Sequence, residues 1–310
     1  KAAELRQVAE AMGRVSLQGF LDQSGLDLED LYSNNHCWSD LLEEGGLPVL
    51  QAGPQETVLR RAIGRLLHVD DPERITIWRD WLTATEPPSL ASLTLRQRRL
   101  FRMLATTLCE SLGLREASLQ EIATLIWQHP QVRAELVELL TVLGNRIEHL
   151  PGELTNFPEV PLHVHARYTR REILAAFADG EDHALPDWRE GVRWLPEAGV
   201  DLFTITLDKS AGHFSPTTRY RDYAINETLL HWESQSTIRA NSSTGKRYQE
   251  HAAQGSSVLP FIRLDSGERA FWLLGPATYV RHENERPMAI TWRLDHPIPG
   301  DLFARFAAAA

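Results

Sequence analysis

Hydrophobic residues are spaced in two different ways along the chain. Between residues 1 and 150 they recur every three or four positions, which is the spacing of amphipathic helices. Ser118 and Glu121 have the spacing of a capping box, which predicts that a helix begins there. Pro130 predicts the end of that helix. The helices predicted in this half are Ala2–Met12, Leu17–Asp22, Leu26–Tyr32, Gln55–Leu67, Glu73–Trp81, Thr94–Leu112, Ser118–Gln128 and Val132–Ile147.

The pattern changes after Pro151, Gly152 and Pro158, where short runs rich in β-branched and aromatic residues alternate with Gly, Pro and Asp. One short helix, Arg170–Phe177, is predicted among them. The predicted strands are Val160–Tyr168, Leu202–Leu207, Val258–Ile262, Phe271–Leu274, Tyr279–Val280 and Ala289–Leu294. We therefore expect an α+β protein, with an all-α helical domain at 1–150 and a mixed β-rich domain at 151–310. Short strands with long polar connections favour a curved sheet or a partly open barrel.

Composition adds limits on the class of protein. The chain is 43% hydrophobic and 24% charged, which is typical of soluble globular proteins. It has no apolar run long enough for a membrane span and no signal-peptide pattern at its start. Cys37 and Cys109 belong to no CxxC pair, so a reducing cytoplasmic setting is expected. A start at Lys1 rather than Met favours a fragment of a longer protein.

The net charge of −10 argues against a generally basic surface for nucleic acid. Four arginines, Arg96, Arg98, Arg99 and Arg102, lie close together on one predicted helix. They could contact phosphate, but a solvated arginine-rich face is the favoured interpretation, because runs of charge usually face water.

Several kinds of catalytic site are not supported. The segment Ala240–Arg247 resembles a phosphate-binding Walker loop only superficially, because it lacks the first Gly, the final Ser or Thr and the preceding apolar strand. His163 and His165 are expected on one face of a strand, and His213 or His231 could join them around zinc. No compact ligand set completes such a site, so we predict no metal and no cofactor in this chain.

The segment Lys209–Tyr248 combines basic and aromatic residues. Its local charge is +3 in a chain of net charge −10. Aromatic rings can stack on bases, and Asp or Gln can pair with the edge of an extruded base. Arg, Lys and Ser can bind phosphate oxygens. The predicted base-binding residues are Tyr220, Asp222, Tyr223, Trp232 and Gln235. The predicted phosphate-binding residues are Ser215, Arg219, Arg221, Arg239, Lys246 and Arg247. The alternative for any single aromatic is an ordinary place in the core.

The same segment carries a family resemblance. Ser215–Ile225, Leu230–Gln235, Thr244–Tyr248 and Glu285–Trp292 resemble a domain at the C-terminus of bacterial superfamily-2 helicase-like proteins. Some of these proteins are similar to type IV, modification-dependent restriction enzymes, which join a phospholipase-D-like nuclease, a DEAD/DEAH motor and this domain as target reader. Leu28–Tyr32 and Trp38–Leu41 resemble the helical segment that joins motor to reader.

The resemblance implies a function for each half. The helical half would couple recognition to ATP use, and the β-rich half would bind double-stranded DNA carrying 5-methyl- or 5-hydroxymethylcytosine. The base would be flipped into an aromatic cage, by analogy with the SET- and RING-associated (SRA) or PUA-type barrel. Nuclease and helicase domains would lie N-terminal to this chain, and phage defence would be the setting. The chain alone would not be an enzyme.

Two alternatives remain open from the residues. The first is a divergent metal-dependent nuclease that uses Asp222, Glu233 and a histidine. The second is a protein-interaction scaffold, in which the aromatics are buried and acidic helices bind partners. Core packing of both Trp232 and Tyr223 would favour the scaffold.

Overall fold

The computed structural model describes residues 1–13, 15–114, 117–180, 184–208 and 222–309. These residues form two compact units, each described here by itself. The first, the helical unit, comprises residues 1–150, 158–161 and 171–186. The second, the sheet unit, comprises residues 151–157, 162–170 and 187–310. The α+β class expected from the sequence is confirmed.

The helical unit contains most of the predicted helices, with ends that differ by a few residues. Ser118 and Glu121 form the expected capping box, since the Ser118 hydroxyl accepts from the Glu121 amide at 3.3 Å and Glu121 accepts from the Ser118 amide at 2.7 Å. Its helices are α1 (Ala2–Met12), α2 (Leu17–Ser24), α3 (Leu28–Leu31), α4 (Trp38–Glu44), α5 (Glu56–Ile63), α6 (Pro72–Thr83), α7 (Leu95–Cys109), α8 (Leu119–Trp127) and α9 (Pro130–Asn145), and α10 (Arg170–Phe177) continues into it. Among these, α4 was not predicted.

Helix α4 begins at a buried carboxylate from a distant part of the chain. Glu135 on α9 accepts hydrogen bonds from the backbone amides of Trp38 at 3.0 Å and Ser39 at 2.9 Å. Burial raises the pKa of Glu135, although the bonds from Ser39 oppose this. Because the partner of the helix start lies almost a hundred residues away, local sequence patterns could not show it.

The arginines of α7 do not form the solvated face that was favoured, nor an open phosphate site. Arg99 and Arg102 are buried. Arg102 donates to the carbonyls of Ala178 at 2.8 Å and Gly180 at 2.6 Å, and Arg99 pairs with Asp179 at 2.7 Å. Arg96 binds Glu73 through two nitrogens. These side chains attach the segments 158–161 and 171–180 to the helical unit.

The described residues of the sheet unit form three sheets. A five-stranded sheet has the order β3-β9-β8-β5-β4, in which only β5 and β8 pair in parallel. A four-stranded antiparallel sheet has the order β10-β11-β7-β6, and β1 pairs with β2. The strands are β1 (Gly152–Glu153), β2 (His163–Val164), β3 (Arg167–Thr169), β4 (Val192–Leu195), β5 (Val200–Thr206), β6 (Tyr223–Asn226), β7 (Leu229–Glu233), β8 (Ser257–Arg263), β9 (Ala270–Leu273), β10 (Ala277–Glu283) and β11 (Ala289–Leu294).

One core joins the two larger sheets. Phe203 of β5 stacks on Trp232 of β7, with ring centroids 4.2 Å apart, and contacts Trp292 of β11 at 5.6 Å. Helices α11 (Ser243–Glu250) and α12 (Gly300–Ala309) contribute Tyr248 and Phe306 to the same core. Since side chains alternate along a strand, this core decides which residues of each sheet face away from it.

The predicted strand Val160–Tyr168 is wrong in one respect. It is broken at His165, whose φ of 70° lies in the left-handed region and which ends β2 before β3 begins. His163 and His165 therefore do not alternate along one strand, and the geometric reason for pairing them on one face disappears.

Hydropathy along the helices gives a separate finding. Within the part of the chain that the structure describes, no helix combines the length and the apolar character that crossing a membrane requires.

His251 follows α11 and connects it to β10. Its Nε2 accepts from the Tyr279 amide at 3.2 Å, and its Nδ1 lies 3.3 Å from the Ser256 carbonyl. This arrangement requires a neutral ring. Burial lowers the pKa of His251, although the Ser256 carbonyl and the charges of Asp201 and Asp295 oppose the shift.

We expect the free energy of unfolding to fall as the pH drops below about 6.5, the ordinary pKa of histidine. Below that value the unfolded chain binds a proton that the folded His251 excludes, so acid favours unfolding by at most about 1.4 kcal/mol per pH unit. Urea unfolding at pH 7.5 and 5.5 measures this loss. His251→Gln, which keeps a donor and an acceptor but does not titrate, should lose less stability than the natural chain. Equal losses in the two proteins would contradict the assignment.

Candidate nucleic-acid interface

The four-stranded sheet has one face in the core, and its opposite face is exposed at the edge strands but not at Thr291 of β11, which is 8% exposed. Leu230 and Trp232 of β7 and Ile290 and Trp292 of β11 are buried in the core. The residues between them must therefore point to the other side. We call this second side the outer face.

A row of four side chains crosses the outer face. Tyr223 of β6 pairs with His231 of β7, His231 pairs with Thr291 of β11, and Thr291 pairs with Arg281 of β10. The rings of Tyr223 and His231 stack, with centroids 4.8 Å apart and planes inclined by 26°. Tyr223 is 40% exposed. The row thus presents an aromatic stack at one edge of the sheet and a guanidinium at the other.

The edge strands of this sheet also carry exposed apolar side chains. Five large hydrophobic side chains are exposed in the described ranges, and three of them, Tyr223, Ile225 and Val280, lie on the edge strands β6 and β10. The remaining two, Leu50 and Leu150, are in the helical unit. Large exposed apolar groups gathered on one surface often mark a binding site.

Charges of both signs lie around the row. Arg281 and Arg293 are exposed on the outer face. Arg281 lies 3.6 Å from Glu283, and both side chains are about 70% exposed. Such a surface pair contributes little to stability, so a phosphate could replace the carboxylate at small cost.

Two of the predicted base-reading residues flank the outer face. Asp222 precedes β6 and is buried, and its Oδ1 accepts from the Glu233 amide at 2.9 Å. Gln235 follows β7 and donates to Glu190 at 3.4 Å. Both residues lie close to Tyr223 in the sequence. Both side chains already form hydrogen bonds within the protein.

The prediction that Trp232 stacks on a base does not fit its position. Trp232 is 5% exposed, and Phe203 and Tyr248 contact its ring. A base could reach the ring only if the shared core opened. Its neighbour His231, one position along β7, points outward, and the sequence analysis considered it only as a zinc ligand.

The phosphate-binding role predicted for Arg247 also does not fit. Its Nε and Nη2 bind the two carboxylate oxygens of Asp201 at 2.7 and 2.9 Å, and its guanidinium lies 4.4 Å from the Trp194 ring. Burial opposes the charge on Arg247, but the hydrogen bonds to Asp201 outweigh burial and raise the pKa of Arg247. Arg247 is a structural partner of a fully buried carboxylate.

Of the remaining predicted residues, two are exposed and four lie outside the residues that the structure describes. Arg239 and Lys246 are exposed, Lys246 on α11 and Arg239 just before it. The residues that lie outside the described part are Ser215, Arg219, Tyr220 and Arg221.

The segment that superficially resembles a Walker loop is the start of α11. The Ser242 hydroxyl caps this helix by accepting from the Gly245 amide at 3.1 Å. A Cβ atom at Gly245 would lie 2.0 Å from the Arg239 carbonyl oxygen, so this close approach requires glycine. The helix start is thus closed by the protein's own groups.

The nuclease alternative requires carboxylates that converge on a metal. Among the residues that the structure describes, Asp222, Glu227 and Glu233 do not form a group of three with ligand atoms within 4.8 Å of one another. Glu227 lies in the turn between β6 and β7, whereas the carboxylate of Asp222 is bonded to the backbone.

The sequence could have revealed more of the outer face. Leu229–Glu233 and Ala289–Leu294 both alternate, and in each strand the tryptophans mark the core positions. That alternation would have placed His231, Thr291 and Arg293 on the opposite side. The pairing that joins them into rows with Tyr223 and Arg281 depends on strand order, which the sequence does not show.

The C-terminal part of the chain matches a family model. Residues 162–306 match DUF3427, a family model described as a domain of unknown function. The matched span contains the strands β2 to β11, and therefore the whole outer face. No curated protein matches the chain significantly.

We expect Arg247→Met to destabilise the protein strongly, by about 3 kcal/mol, because it leaves the buried Asp201 carboxylate without its partner. Adding Asp201→Asn should recover part of the loss, since no buried charge then remains. Urea unfolding of the two single variants and the double variant measures the coupling. Additive losses would show that the two side chains act independently and would contradict this interpretation.

Proposed function

We propose that the sheet unit binds nucleic acid on the outer face of its four-stranded sheet. The observation that supports this is the row Tyr223, His231, Thr291 and Arg281, which combines an exposed aromatic stack with a guanidinium. Aromatic groups on an open sheet stack with bases, and arginines at its rim contact phosphates.

The form of the nucleic acid follows from the geometry of stacking. A ring on an open sheet face reaches only a base that has left its own stack, so the ligand is a single strand or a duplex with an extruded base. The family resemblance favours the second form, DNA with 5-methyl- or 5-hydroxymethylcytosine. Asp222, which precedes Tyr223, could accept from the cytosine amino group if its bond to Glu233 opened.

The proposed setting also rests on the resemblance. The sheet unit would read the target, and the helical unit would couple reading to a helicase motor and a nuclease of an ATP-dependent restriction enzyme in the cytoplasm. Under this proposal the present chain supplies recognition and not catalysis.

The charge of the outer face predicts how strongly DNA binding should depend on salt. Arg281 and Arg293 would contact phosphate, whereas Glu233 and Glu283 limit the local potential. Two phosphate contacts give a slope of about −1.4 to −1.8 for log K against log salt. A much steeper slope would mean that other basic residues dominate binding.

We expect Tyr223→Ala to weaken DNA binding about five- to 150-fold, the range for loss of one stacked base at about 1–3 kcal/mol. Fluorescence anisotropy with short single strands and duplexes at 50 mM salt measures the dissociation constants. Leu50→Ala, at an apolar side chain 52% exposed in the helical unit, is the matched control and should have no effect. The absence of binding at low salt, or equal affinity of Tyr223→Ala and the natural chain, would overturn the proposal.

A second set of variants tests whether DNA binds to the outer face or to the basic segment Lys209–Tyr248 that was predicted from the sequence. Arg281→Gln should weaken binding and reduce the salt slope by nearly one unit. Arg239→Gln and Lys246→Gln test the alternative surface, and Arg61→Gln on α5 controls for the loss of one exposed charge. Loss of binding only in the Arg239 and Lys246 variants would transfer the site to the start of α11. Equal affinity for modified and unmodified cytosine would remove the modification-reading part alone.

Exposed Ile225 and Val280 favour one competing use of the same face, as a docking site for a protein partner. This is the scaffold alternative in a narrower form, since Trp232 is in the core and Tyr223 is not. Ile225→Thr distinguishes the two uses, because it removes apolar surface while it retains Tyr223 and both arginines. Undiminished DNA binding by Ile225→Thr would favour the nucleic-acid interpretation.

A further inference from the structure

Two arginines lie on the side of the five-stranded sheet that faces away from the four-stranded sheet. Thr204 and Thr206 alternate with Phe203 and Ile205 of the shared core along β5, so they point to this second side, which is also buried. Arg263 ends β8 and pairs in register with Thr206. Arg170 directly follows β3 at the start of α10.

Arg170 is held by neutral groups. Its Nε and Nη2 donate to the Thr204 hydroxyl at 3.2 and 2.9 Å. Its guanidinium carbon lies 5.4 Å from the centre of the Phe271 ring and 5.7 Å from that of Trp188. Among the described residues no carboxylate lies within 4.0 Å of it. The Nη1 group is left without a protein acceptor there.

Arg263 contacts the same aromatic ring. Its guanidinium carbon lies 4.7 Å from the Phe271 ring centre, its Nε donates to Thr206 at 2.9 Å, and its Nη1 donates to the Glu268 carbonyl at 2.5 Å. The two nearby carboxylates accept hydrogen bonds from backbone amides. Glu268 accepts from the Leu264 amide at 2.9 Å, and Asp265 accepts from the Gly267 amide at 2.6 Å.

Burial lowers the pKa of both arginines, and the charge of Arg263 lowers the pKa of Arg170 further. The charges of Asp265 and Glu268 oppose the shift at Arg263, but no carboxylate of the described residues opposes it at Arg170. Elsewhere in the protein, the half-buried Arg247 and the buried Arg60 each bind carboxylates. Partly buried cations usually have such partners, because an uncompensated charge away from water is costly.

A second observation is a buried donor beside Arg170. Trp188 is 8% exposed, and its Nε1 has no hydrogen-bond partner among the described residues. The Thr206 hydroxyl accepts from Arg263, and within the described ranges no acceptor is found for its own proton. Buried donors are usually satisfied, so the Trp188 indole and the Thr206 hydroxyl still have capacity for an acceptor from outside the chain.

We propose that Arg170 and Arg263, together with the Thr206 hydroxyl and the Trp188 indole, bind a phosphate group. Two guanidinium groups and two neutral donors match an anion with several acceptor oxygens and up to two charges. The site also adjoins the carboxyl ends of the parallel strands β5 and β8. It does not depend on the proposed function, because it is built from the other sheet.

Three sources could supply the phosphate group: inorganic phosphate, a nucleoside monophosphate or the backbone of a nucleic acid. The natural chain is titrated with each source, using a dinucleotide for the backbone, at constant ionic strength set with chloride. Phosphate should raise Tm saturably, by about 2 °C at ten times its dissociation constant. Stronger effects of the monophosphate or of the dinucleotide would identify the natural source. No rise of Tm with any of the three would overturn the proposal.

Variants locate the binding. Arg170→Gln should reduce the affinity for phosphate at least tenfold, whereas Arg281→Gln, at an exposed arginine of the outer face, should bind phosphate unchanged. An equal effect in both variants would show general charge screening and would overturn the assignment. Arg263→Lys keeps the positive charge but removes the planar set of guanidinium N–H donors. Weakened phosphate binding by this variant supports the site even if Arg170→Gln does not fold.

A measurement on the natural chain alone completes the test. The ³¹P resonance of inorganic phosphate should broaden on addition of the protein, and sulfate should reverse the broadening at millimolar concentrations. Tyr223→Ala should broaden it equally, since the outer face is not involved. Broadening that depends on Tyr223, or that sulfate does not reverse, would contradict the phosphate site independently of the proposed DNA binding.

Discussion

The stacked rings of Phe203 and Trp232 set the arrangement of the whole sheet unit. They join the five-stranded sheet to the four-stranded sheet, with ring centroids 4.2 Å apart, and Tyr248 and Trp292 pack around them. Buried aromatic side chains contribute much of the energy of a core. Because each strand alternates, fixing these rings inside places His231 on the outer face of the four-stranded sheet and turns Thr204 of the five-stranded sheet away from the shared core. Both candidate sites therefore depend on this contact.

Regular local patterns allowed most of the fold to be predicted from sequence. The strand Ala289–Leu294 and the helices Ala2–Met12 and Arg170–Phe177 have the predicted ends, since each has a clear period or a start residue. Helix α4 was missed, because its start is bonded to Glu135 from α9. The hairpin Tyr223–Glu233 was missed for a different reason. Its polar and aromatic residues were interpreted as a binding surface by composition, and their alternation was not considered.

The role of each arginine is decided by its partner, which a sequence does not show. Arg102 binds backbone carbonyls of a distant segment, and Arg247 binds the buried Asp201, so both are structural. Arg281 has only an exposed carboxylate beside it, and Arg170 has only hydroxyl and aromatic neighbours among the described residues. Local sequence composition selected Arg247 and passed over Arg170. The partners of these two arginines favour the opposite choice, because an arginine that is not paired with a buried carboxylate can still bind a ligand.

The two candidate sites lie on opposite sides of the shared core, and this limits how they can act together. The outer face belongs to the four-stranded sheet, whereas Arg170 and Arg263 lie on the side of the five-stranded sheet that faces away from the shared core. No small ligand can contact both. Any coupling between them must pass through the packed rings of Phe203, Trp232 and Trp292, and close-packed cores transmit displacements because they have little free volume. Coupling therefore requires that occupation of one site shift these rings, since a ligand that leaves them in place changes nothing at the other site.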